Sequence, residues 1–117
     1  MDQLFLAWPD PVFLIDGTGR LLQGNRAAWR LVGRVDRSNE VDQLASLVQG
    51  DGAACRALIR QGLRSTIPTP GRLDVLAADG RVLPCRAEVA LLAPPTDQTP
   101  ATLWCRLSEL RLGNSQF

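Results

Sequence analysis

The sequence contains no histidine, no tyrosine and no lysine. Without histidine the usual general base near neutral pH is missing, and no pair of Asp or Glu residues has a recognisable catalytic spacing. No catalytic residue is therefore expected. Cysteine is also scarce: Cys55, Cys85 and Cys105 are odd in number, widely separated and outside any CxxC or metal-ligand pattern. They read as free thiols in a reducing cytoplasm, and no metal site is expected. Long apolar runs are missing too. Runs such as Leu4 to Trp8 and Val12 to Ile15 are far short of the roughly 18 to 20 residues that span a bilayer, and no basic segment leads into an apolar stretch of the kind a secretory signal needs. A cytoplasmic segment without membrane contact is the expectation.

Charge of either sign is nearly balanced. The 13 basic residues, all Arg, stand against 12 acidic ones for a net charge of +1, which gives no overall drive towards nucleic acid or anionic lipid. A chain of 117 residues suits one domain that buries about two thirds of its unfolded surface.

Two apolar strands and a tight turn open the pattern. "PVFLID" and "RLLQG" read as a hairpin over residues 11 to 24, with Gly17 and Gly19 supplying positive φ in the turn. Asn25 then N-caps "RAAWRLV", which Gly33 closes. A second short helix carries Val41, Leu44, Leu47 and Val48, with Ser38 or Asn39 as its cap. Asp51 is placed to cap a third, with Cys55, Leu58, Ile59, Gly62 and Leu63 on one face and Arg56, Arg60 and Arg64 on another. After the breaker "IPTPG", residues 72 to 92 form two strand-like segments around Asp79-Gly80, and "TLWCRLSEL" supplies a last strand beyond the Pro-rich residues 93 to 101. Ahead of everything, "DQLFLAW" places Leu4, Phe5 and Trp8 on one side of a short helix that "PDP" must end.

The order "PDPVFLIDGTGRLLQGNRAAWRLVG", then "ADGRVLPCRAEVALL", then "LWCRLSEL" resembles the PAS domain, the sensory module of bacterial signalling proteins, over nearly the whole chain. The resemblance implies an α+β fold, ββαααβββ, with a five-stranded antiparallel sheet in the order 2-1-5-4-3 and short helices on one face. It implies an N-terminal helical cap or dimerisation segment over residues 1–9, a PAS domain over 10–110, and at 111–117 the start of a connector to an output domain.

A pocket between sheet and helices would be lined by Phe13, Ile15, Trp29, Leu58, Val89, Leu103 and Cys105, which otherwise simply form the core. A non-covalent flavin or small metabolite is compatible with such a pocket, although an empty one is the first expectation. Haem is disfavoured because PAS relatives usually hold it through His. The flavin-holding motif of the light-oxygen-voltage subgroup, Asn-Cys-Arg-Phe-Leu-Gln, finds only a partial echo in "AACRALIRQ". Trp104 alternates with Cys105 and so faces the outer side of the sheet. Leu4, Phe5 and Trp8 would cover it from the same chain or from a second copy, and a homodimer is expected. The functional expectation is a non-enzymatic sensory module that couples small-ligand or redox state and dimer geometry to a covalently linked output domain. Its rivals are a ligand-free interaction and dimerisation module and a thiol redox protein.

Overall fold

The structure, a computed structural model, describes residues 7–33, 43–77 and 79–110. The expected positions Leu4 and Phe5, Ser38, Asn39 and Val41, and the connector at 111–117 lie outside the described residues.

In chain order the elements are β1 (Val12–Asp16), β2 (Leu21–Gly24), α1 (Arg26–Leu31), a 3-10 turn (Leu44–Leu47), α2 (Ala53–Gly62), β3 (Thr69–Leu76), β4 (Val82–Ala93) and β5 (Thr102–Glu109). The strands form one antiparallel sheet in the order β2-β1-β5-β4-β3. This is the expected PAS arrangement, with the last strand in the middle. One face of the sheet, carrying Phe13, Ile15, Leu73, Cys85, Val89, Leu103 and Cys105, joins the helical layer through Trp29, Leu44, Leu47 and Leu58 in a single core.

Both hairpins are written by Asp and Gly. Gly19 (φ 89°) donates to the Asp16 carbonyl at 3.0 Å, and Asp16 donates back to the Arg20 carbonyl at 3.0 Å. Gly80 (φ 91°) and Ala77 repeat the pattern in the second hairpin. These are three-residue loops in which glycine takes the left-handed position. Gly17, expected to share that role, does not have positive φ.

The Asp16 carboxylate accepts from the Thr18 hydroxyl (2.6 Å), the Thr18 N–H (2.8 Å) and the Arg20 N–H (3.0 Å). Burial pushes the Asp16 carboxyl up, but these hydrogen bonds and the Arg20 charge outweigh it and hold the carboxyl below its ordinary value of 3.8.

Asn25 is fully buried and uses its whole amide. Its Oδ1 accepts from the N–H of Ala28 (2.9 Å) and of Val12 (3.1 Å), while Nδ2 donates to the carbonyls of Asp10 (2.7 Å) and Trp8 (3.3 Å). The residue expected as a helix cap thus also fastens the start of β1 and the chain leading into it.

Three further expectations are corrected. The second helix is a four-residue 3-10 turn, because Val48 leaves it to form an antiparallel bridge with Val75. Gln43 bridges Arg20 at the other end, so residues 43 to 48 join both edges of the sheet. Asp51 accepts from Ala53 N–H at 3.0 Å, but the N-cap position belongs to Gly52. β3 begins at Thr69 rather than after "IPTPG", and the edge position of the strand lets Pro70 enter without breaking the ladder.

Replacing Asn25 with Ala strands two buried N–H groups and two carbonyls, and should lower unfolding stability by about 3 kcal/mol or more, read from urea denaturation. The depressed Asp16 carboxyl carries a pH signature. Its contribution is complete above the unfolded value of 3.8 and is lost as pH falls through the lower folded value. Asp16→Asn should therefore flatten the acid limb of stability against pH below that value, and an unchanged limb would remove the carboxylate from the account.

Candidate functional site

The interior between α2 and the sheet holds all seven candidate pocket residues. Phe13, Ile15, Trp29, Leu58, Val89, Leu103 and Cys105 are buried members of one hydrophobic cluster. Alternation put Val89, Leu103 and Cys105 on inward faces and helical spacing did so for Leu58, while Phe13, Ile15 and Trp29 were expected there from the family resemblance; the fold brings all seven together.

Their packing is close because glycine stands where the layers meet. A Cβ on Gly62 would lie 2.6 Å from Val89 Cγ1 and 3.1 Å from Leu103 Cδ2, so the α2 backbone rests directly on β4 and β5. On β3, a Cβ on Gly71 would collide with the Leu58 side chain. Gly24 is hemmed in by Phe13 and Trp29, each with ring atoms 2.9 Å from where its Cβ would be. The two rings meet edge to face with centroids 5.2 Å apart, and Trp29 Nε1 donates to the Gly24 carbonyl at 3.1 Å. The indole is anchored at its polar end as well as packed. Gly62 was legible as a member of the apolar helix face, but nothing in the sequence showed that Val89 would be its neighbour.

A flat ring system needs a slot about 3.5 to 4 Å clear on each side, and at Gly62 the helix already touches the sheet. At Gly62 no flat ring fits between α2 and β4–β5.

The three thiols are buried and free. Burial pushes Cys105 up to about 12, with the nearby Cys55 and Cys85 thiols adding to the shift. Burial, with Glu109 and Asp74, pushes Cys85 up to about 11, and burial raises Cys55 against the opposing pull of Arg56. Such groups are almost entirely protonated at neutral pH, where the thiolate is the reactive form. Among the described residues no three His, Cys, Asp or Glu side chains are grouped to hold a metal ion.

The opposite face of the sheet carries a second constellation. Trp104 lies between the inward-facing Leu103 and Cys105 and is half-buried on the outer side. It pairs in register with Leu14 on β1 and Ala90 on β4, both buried. One pair further along, Arg106 reaches Glu88 at 3.1 Å and Asp10 at 3.6 Å. Its buried Nε is the one buried side-chain polar atom without a partner among the described residues. Trp8, another candidate for this surface, is 47% exposed. Sequence reasoning placed Trp104 correctly on the wet side of β5 but missed the ionic group beside it, whose members lie on three separate parts of the chain.

No protein-family model and no curated protein matches the sequence. Solved structures do match. The PAS domain of an HTR-like protein from Haloarcula marismortui superposes with a TM-score of 0.74 at 13% identity, over 92% of this chain and 86% of that one. A Rhodobacter sphaeroides LOV protein gives 0.73 at 20% identity, over 96% and 67%. The PAS domain of nitrogen regulation protein NR(II) from Vibrio parahaemolyticus gives 0.67 at 20%, over 92% and 94%. At such identities the likeness is one of fold, and the fold of this chain is that of the PAS domain.

Gly62→Ala should cost about 1 to 3 kcal/mol through overpacking against Val89. Part of that loss should return in the Gly62→Ala, Val89→Ala double variant, with the coupling read from a double-mutant cycle in urea. Additive effects would mean that helix and sheet do not touch there.

Proposed function

We propose that this chain is a sensory or regulatory PAS module of a bacterial signal-transduction protein, acting as a homodimer and joined to an output domain in a longer protein. The observation that carries the reading is the cross-strand row Leu14–Trp104–Ala90 on the face opposite the helices. A half-buried indole on the outer side of the three central strands offers a large, stiff anchor for a second surface, and aromatic anchors of this kind dominate interface energetics. The resemblance to PAS domains of signalling proteins, the NR(II) domain among them, supports the regulatory role. The reading assigns the chain no catalysis and no nucleic-acid partner, and takes the segment to be cytoplasmic. No helix of the described residues is long and apolar enough to cross a membrane.

Of the inputs open to such a module, direct packing of α2 on the sheet favours ligand-free control through association. The raised thiol values speak against a cysteine redox input. A small metabolite remains the second reading, favoured only by the apolar character of the seven buried residues, and it requires Leu58 or Trp29 to move aside.

Trp104→Arg should weaken the dimer by about 2 kcal/mol or more, roughly thirtyfold in dissociation constant, with an unchanged circular dichroism spectrum. Sedimentation velocity across a concentration series reads the dissociation constant of wild type and variant. A wild-type chain that stays monomeric at high concentration, or a variant that dimerises as well as wild type, would sink the reading.

A further inference from the structure

On the helical side, well away from Trp104, a groove of about 270 Å³ runs between the β1–β2 turn and α2, lined by Gly17, Thr18, Arg56, Ile59, Arg60 and Leu63. Its floor is apolar: Ile59 is buried and Leu63 is 36% exposed. Its other wall is nearly bare backbone, since a Cβ on Gly17 would already touch Leu63 at 3.4 Å. The volume suits one large side chain, being below the roughly 300 to 1,000 Å³ of pockets that enclose small molecules.

The rim is cationic, and no acidic side chain among the described residues pairs with it. Arg56 and Arg60 stand one turn apart, about 6 Å along the helix axis, and Arg64 continues the row just beyond the helix end. α2 carries no acidic residue. Among the described residues the ion pairs are Arg72–Asp74, Arg81–Asp79 and Arg106 with Asp10 and Glu88, none of which involves this row. Arg56 Nη1 donates to the Asp51 carbonyl at 3.0 Å, which steadies the side chain and leaves its other donors for a partner. Like charges at i, i+4 repel and weaken a helix, yet the chain as a whole is nearly neutral at +1. The positive charge is a local concentration beside an apolar floor.

We propose that this groove docks an acidic amphipathic helix of a partner protein, seating an apolar side chain on Ile59 and Leu63 and setting carboxylates one turn apart against Arg56 and Arg60. Arg accepts carboxylate oxygens in a two-pronged fashion, and helices dock through anchors at i, i+3 and i+4. The site is independent of the dimer surface, which lies on the other face of the sheet, so either can fail without the other.

The test uses the folded chain and a fluorescein-labelled synthetic helical peptide that carries Glu at one-turn spacing beside a stripe of Leu, with its Glu→Gln counterpart as control. Fluorescence anisotropy should show the Glu peptide binding, the Gln peptide at least about tenfold weaker, and the affinity falling as salt is raised. The Arg56→Glu, Arg60→Glu double variant, with a wild-type circular dichroism spectrum, should lose the Glu peptide by at least about tenfold, whereas Arg72→Glu on β3 should change binding by less than about twofold. Amide shifts on binding should centre on Gly17, Thr18, Ile59 and Leu63. No binding of the Glu peptide, equal binding of both peptides, or retention by the double variant would overturn the proposal. Saturation of the same amides by acetate at comparable concentration would overturn it as well, in favour of a small-anion site.

Discussion

The Asn25 side chain is the constraint on which the rest of the structure depends. A neutral amide offers two acceptor sites and two donors, and here all four are used in one fully buried place. The partners come from the first turn of α1, from the start of β1 and from the chain ahead of it. The second strand, the first helix and the entry to the first strand are thereby fixed to one point, and β1 in turn pairs with both β2 and β5. A shorter cap such as Ser could satisfy the helix but could not span to the Asp10 and Trp8 carbonyls as well. The cost of leaving any of these groups unpaired in the interior makes the geometry close to all-or-none.

The second organising feature is contact without side chains. Gly24, Gly62 and Gly71 each stand where a methyl group would collide with a neighbouring core residue. Their absence of Cβ lets α2 and the α1 indole come down onto the sheet. Outside this close-packed layer stand two surfaces. One is the strand face with Trp104, which suits association with a like surface; the other is the cationic side of α2, which suits an acidic partner. On the proposed reading, such a module takes its input and delivers its output through protein contacts, with the packed core between them as a stiff body.

Much of the candidate site was legible because strand alternation and helix periodicity report which way a side chain faces. Val89, Leu103 and Cys105 were assigned inward on that basis, and Trp104 outward, whereas the uniformly apolar stretch from Val12 to Ile15 carries no alternation to read. The method fails where a residue leaves its element. Val48 keeps helical spacing with Leu44, but in the folded chain it bridges Val75. Thr69, Pro70 and Gly71 read as breakers, yet they open β3 because an edge strand tolerates a missing N–H.

By itself the sequence determined what is settled within a few residues: the Asp-Gly turns, the Asn25 cap, the inward and outward faces, and the absence of histidine chemistry. Those features depend on hydrogen bonds and sterics that operate over one to four positions. The strand order was expected only through a family resemblance, since no local pattern says that β5, some 90 residues downstream, should lie beside β1. The tertiary structure alone decided that Gly62 meets Val89, that Arg106 meets both Asp10 and Glu88, and that the β1–β2 turn and α2 enclose a groove. Each of these depends on bringing distant segments together, and the burial of the whole core, rather than any local preference, supplies the free energy for that.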